Sequence, residues 1–138
     1  MDEYAVVMML RDPKTGILDR EMGAYTLRSG EALLVNLVAE ESGDGYLCRL
    51  KLTNGRNVAD WEFEAIYDYY DPEVYGNALL ALTEVEGCPN PTWELVFPFL
   101  EDTQAMEAAL NRLLGIHEAE LLAVYSAIEG REAEYAGQ

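Results

Sequence analysis

The hydrophobic period changes once along this chain, close to residue 100, and that change limits the folds open to it. Up to Leu100 the apolar residues alternate or run in short blocks, the period of a pleated strand. From Thr103 they fall at Met106, Leu110, Leu113, Leu121, Val124, Tyr125 and Ile128, three and four apart, the period of a helix face. Strands first and helix last predicts an α+β protein. Residues 1–100 are expected to form a mainly antiparallel sheet of six to seven consecutive strands, followed by a helix or helical pair over 103–135 packed on one face. The chain has 138 residues, half of them hydrophobic, which is enough for one domain (1–138) with a core that needs neither disulfide nor metal.

Tyr4 to Arg11 is apolar on both parities, as a strand buried on two faces would be. Asp12-Pro13-Lys14-Thr15-Gly16 is a turn, and Ile17 to Leu27 reads as the return strand with a bulge near Gly23. Ala32 to Ala39 and Tyr46 to Thr53 are strands joined through Ser42-Gly43-Asp44-Gly45, and Asn54-Gly55 is the strongest hairpin signal in the chain. Asp60 to Tyr70 places Trp61, Phe63, Ala65, Tyr67 and Tyr69 on one parity and acids on the other, which predicts a half-buried strand with an acidic outer face. Val74 to Val85 fits strand or helix. Its flanking glycines and prolines favour strand. Trp93 to Phe99 alternates, and Pro98 marks it as an edge strand or a bulge. Thr103 is an imperfect helix cap, and Gly115 either kinks one helix over 103–135 or divides two.

Charge removes several functions. The chain carries a formal net charge of −17, and residues 57–138 hold only Arg112 and Arg131 against 17 Asp and Glu. Phosphate backbones and anionic membrane surfaces would repel it, so neither nucleic acid nor membrane is an expected partner. A basic protein partner fits, as does a purely solubilising charge. No basic, apolar leader and no run long enough to span a bilayer is present, so a cytoplasmic chain with Cys48 and Cys88 reduced is expected.

Chemistry is sparse as well. His117 is the only histidine. His-Glu-Ala-Glu-Leu at 117–121 begins like a zinc-protease helix, but Leu121 stands where the second histidine belongs, so no metal site is expected. His117 continues the stripe through Leu113 and Leu121 and reads as a structural helix residue. Cys48 lies on the apolar parity of its strand, Cys88 sits among acids that oppose a nucleophilic thiolate, and no serine stands in a nucleophile elbow. No glycine-rich phosphate loop occurs, and no cofactor is expected. Catalysis by isolated carboxylates needs no sequence signature and stays open as an alternative.

The most unusual stretch is Asp60 to Asn77. Trp61, Tyr67, Tyr69, Tyr70 and Tyr75 stand among Asp68, Asp71 and Glu73. These residues read three ways: core aromatics with solvated acids, a recognition surface of rigid amphipathic rings, or an oxygen-rich cation loop, whose spacing matches no EF-hand. The function expected is a small non-enzymatic interaction or accessory protein acting through protein–protein contacts. The alternative is a ligand-binding module with a tyrosine- and tryptophan-lined cavity between sheet and helix. A first strand apolar on both faces needs cover on both, and a second copy in a homodimer would supply the side that one helical layer leaves bare.

Overall fold

The computed structural model describes residues 3–135; Met1, Asp2 and residues 136–138 of the expected single domain lie outside the described residues. β1 (Tyr4–Arg11) and β2 (Leu18–Leu27) form the first hairpin. Its turn is held by the Asp12 carboxylate, which accepts from the backbone N–H of Lys14 at 2.8 Å. The expected bulge is present: Met8 pairs with Gly23 but Met9 pairs with Glu21, leaving Met22 unmatched. Glycine is required there because a Cβ on Gly23 would collide with the Tyr25 ring.

β3 (Leu34–Ser42) and β4 (Gly45–Thr53) form the second hairpin, and β5 (Ala81–Glu84) and β6 (Thr92–Pro98) the third. The six strands lie in the order β2-β1-β3-β4-β6-β5. Among the described residues only the junction of β1 with β3 is parallel. The three hairpins are therefore laid side by side as units, a mostly antiparallel sheet in an α+β fold.

Several local expectations need correcting. Asp60–Tyr69 is a helix, α1, and not a strand. Ile66 and Tyr70 sit on the polar parity of the expected strand, whereas Phe63, Ile66, Tyr67 and Tyr70 make one helical stripe. Glu62 caps the start by accepting from the Ala59 N–H at 3.0 Å, and Asp60 and Glu62 suit the positive end of the helix dipole. Asn54-Gly55 accordingly turns into α1 and not into a hairpin, with Gly55 at φ +81°. Of Val74 to Val85 only Ala81–Glu84 is strand; Pro72–Tyr75 is a 3₁₀ turn. β6 is an interior strand, and Pro98 closes it opposite Leu47, past the Ala81–Val96 pair where β5 begins, so the missing N–H is not asked to bond.

The C-terminal segment settles as one uninterrupted helix, α2 (Thr103–Ile128), followed by the short α3 (Glu132–Tyr135). Its cap is Asp102 and not Thr103: the Asp102 carboxylate accepts from Gln104 N–H at 2.9 Å. Gly115 lies on the solvent side of α2 without breaking it. The stripe Met106, Leu110, Leu113, Leu114, His117, Leu121, Val124 and Ile128 is buried against the sheet face that carries Met8, Leu27, Leu50, Leu52 and Leu95.

The helices leave the opposite face of the sheet bare. Along it run Val7, which is 51% exposed, half-buried Met9, and Val38 and Val96, which are buried although no helix covers them. Between them lies a ladder of charges. Glu40 accepts from Arg11 at 2.8 Å and from Arg49 at 2.7 Å, and Arg49 also bonds Glu94 at 2.9 Å. Burial alone would raise the Glu40 carboxyl; the hydrogen bonds from Arg49 and Arg11 outweigh it and hold the group below its ordinary value.

Candidate binding site

α1 turns its stripe inward onto Trp93 of β6 and His117 of α2. The Tyr70 ring stacks on Trp93 with centroids 4.3 Å apart, while Tyr67 and His117 meet the same indole edge-on at 5.4 and 5.3 Å. The hydroxyls and the imidazole are bonded in series. His117 Nε2 lies 2.8 Å from the Thr53 carbonyl, which can only accept, so Nε2 carries the proton and Nδ1 is the acceptor. Tyr70 therefore donates to Nδ1 at 2.7 Å, and Tyr75 donates to Tyr70 at 2.6 Å. His117 is fully buried. Burial lowers its pKa to about 4 against the opposing pull of the Thr53 carbonyl. Burial also pushes Tyr75 up to about 12 and Tyr70 higher still. Every member is neutral at pH 7, and His117 has no lone pair left for a substrate. The series locks α1, the 3₁₀ turn, β4 and α2 together.

The outer side of this cluster is a groove. It has a volume of about 660 Å³ and is open to solvent along one side, between the end of α1 and β5. Phe63, Tyr67, Tyr70 and Trp93 form its aromatic wall, Leu82 and Val85 its apolar side, and Glu84 and Glu86 its rim. Tyr67 orients the wall through its hydroxyl, which donates to the Thr92 carbonyl at 3.1 Å and accepts from the Thr92 N–H at 2.9 Å. A second depression of about 550 Å³ at the β1–β2 turn mixes Arg11 and Lys14 with Asp12, Asp19 and Glu41 and has no aromatic side chain.

The five aromatic residues singled out in the sequence, with Asp68 and Asp71, do not converge on one site. Tyr67 and Tyr70 line the groove and Tyr75 lies behind it, fully buried. Trp61, Asp68 and Tyr69 face the other way, toward the C-terminus: Trp61 packs against Tyr135, Asp68 accepts from the Tyr135 hydroxyl at 2.9 Å, and Arg131 lies over the Tyr69 ring. Asp71 serves its own turn by accepting from the Glu73 N–H at 2.9 Å. Among the described residues no group of His, Cys, Asp and Glu is placed to hold a metal ion. Phe63, Leu82, Glu84, Val85, Glu86 and Trp93 were not legible as site residues. The helical stripe through Phe63 was the available signal, hidden by an alternation that fits the same residues.

What the fold and groove define is an α+β protein with a one-sided sheet, an aromatic surface groove and a self-satisfied polar core. No helix among the described residues is long and apolar enough to cross a membrane. Residues 1–136 match a protein family of unknown function (DUF6762), and the chain belongs to that family. No curated protein and no solved structure matches it.

Proposed function

We propose that the chain is a non-enzymatic interaction protein of the cytoplasm that seats part of a partner protein in the groove between α1 and β5. The groove itself carries this reading: about 660 Å³, walled by four aromatic side chains and held in place from behind by a closed hydrogen-bond series. The polar groups behind the wall are committed to one another, which suits recognition better than proton transfer. Cys48 and Cys88 as free thiols fit a reducing compartment. A photoreactive residue at position 85, in cells producing the chain, is expected to give a discrete adduct that disappears when Phe63→Ala is added. The same residue at position 17, on the exposed β1–β2 turn, is expected to give none. Equal labelling at both positions would remove the groove from consideration. A volume of this size also accommodates a small molecule. Discrete adducts blocked by small metabolites and by no protein fraction would favour that second reading.

For the bare sheet face the partner we propose is a second copy. Half-exposed Val7 and Leu18 flank the Arg11–Glu40–Arg49–Glu94 ladder, a locally balanced patch on a chain of net −17. Two copies meeting here would bring together their least repulsive surfaces. Sedimentation should show a dimer that Val7→Glu dissociates; a monomer at every concentration would refute it.

A further inference from the structure

Resting on the groove reading above, we infer that the groove takes a lysine or arginine side chain of a basic partner protein. The groove has already spent most of its neutral hydrogen-bonding capacity. The Tyr67 hydroxyl is shared between the N–H and the carbonyl of Thr92, and the Tyr70 hydroxyl between His117 and Tyr75. Thr83 pairs with Glu94 and turns its side chain to the opposite face of the sheet, so the side chains left for an occupant are the carboxylates of Glu84 and Glu86. Carboxylates only accept, so an occupant that satisfies them must donate, and one that bears positive charge does so most strongly.

The wall asks for the same chemistry. Phe63 and Tyr67 are half-buried, so part of each ring faces the groove, and the face of an aromatic ring attracts a cation. Among the described residues no lysine, arginine or histidine lines the groove to compete for it. This chain already uses such a contact internally, where the Arg56 guanidinium sits 3.8 Å from the Tyr125 ring centroid. A purely apolar occupant would strip water from Glu84 and Glu86 without replacing it, and an anionic one would meet a portion of the chain, residues 57–138, whose formal charge is −15. A flexible cationic side chain satisfies both demands: its methylenes lie along Leu82 and Val85 and its head reaches the rim.

The test uses the full chain carrying Trp61→Phe, so that Trp93 in the groove wall is the one tryptophan. The probes are a nine-residue peptide alternating glycine with lysine, its glutamate and serine counterparts, and spermidine. The lysine peptide is expected to change Trp93 fluorescence saturably. The surface pair Glu84→Gln/Glu86→Gln should weaken it at least tenfold, and so should Phe63→Ala. The charge-matched pair Glu41→Gln/Asp44→Asn, at the far end of the strands, should alter it less than twofold. Equal weakening by both pairs would mean diffuse attraction to an acidic protein and would overturn the inference. Serine-peptide binding as tight as lysine-peptide binding, and lost with Phe63→Ala, would also overturn it while leaving the groove reading standing. Spermidine matching the peptide would make the cation a free polyamine and refute a docked protein segment. Silence from every probe, together with no adduct at position 85, would sink both readings. Because the carboxylate pair is on the surface, the test does not depend on Phe63→Ala remaining folded.

Discussion

His117 should make this protein acid-sensitive well above the range in which carboxylates titrate. Its folded pKa of about 4 lies below the 6.5 of an unfolded histidine, so the unfolded chain binds the extra proton first. The stability conferred by neutral His117 is fully present above pH 6.5 and is lost as the pH falls from there toward 4. Linkage with these two values puts the loss at roughly 2 kcal/mol between pH 7 and pH 5, and roughly 3 kcal/mol by pH 4. The side chain is fully buried, so solvent screening takes little from these figures. A loss of 2 kcal/mol corresponds to about 7 °C in melting temperature for a chain of this size. Glu40, held below its ordinary value by Arg49 and Arg11, destabilises in the same direction but only at lower pH, which leaves the window from 7 to 5 to the histidine. Urea unfolding at pH 7, 6 and 5 should show the slope in the native chain. In His117→Gln it should be absent, although that variant starts from a lower stability because the Tyr70–His117–Thr53 series is broken. Equal slopes in the two proteins, or an imidazole that titrates near 6.5 by NMR, would refute the reasoning.

Three further outcomes are expected. Gly115→Ala should raise stability by up to about 1 kcal/mol, roughly 3 °C in a thermal melt, because Gly115 is an exposed α2 residue whose added Cβ would meet nothing within 4 Å. Glu40→Gln should cost about 1–2 kcal/mol in urea unfolding, since Arg11 and Arg49 would lose a shared, nearly buried carboxylate while staying partly in water themselves. Thiol labelling of the native protein should modify Cys88 first; Cys48, fully buried and raised to about 12 by that burial, should react only on unfolding.

Features that depend on a residue and its near neighbours were legible in the amino-acid order. The change of period near residue 100 set strands before a long helix, and the spacing from Met106 to Ile128 picked out the face of α2 that is buried. The place of His117 between Leu113 and Leu121 already marked it as structural. The bulge beside Gly23 was legible for the same reason. Tertiary structure alone decided the remainder. Residues 60–70 alternate well enough to read as a strand, apart from Ile66 and Tyr70, and they form α1 because Phe63, Ile66, Tyr67 and Tyr70 together find Trp93 and His117, partners that lie 23 or more positions further along the chain. The parallel junction of β1 with β3 and the interior place of β6 also arise from partners chosen across the chain. So does the groove, which exists only where the end of α1 meets β5. Periodicity is a local property and survives in the sequence, whereas the choice among distant partners is a sum of many small packing energies that no short segment records.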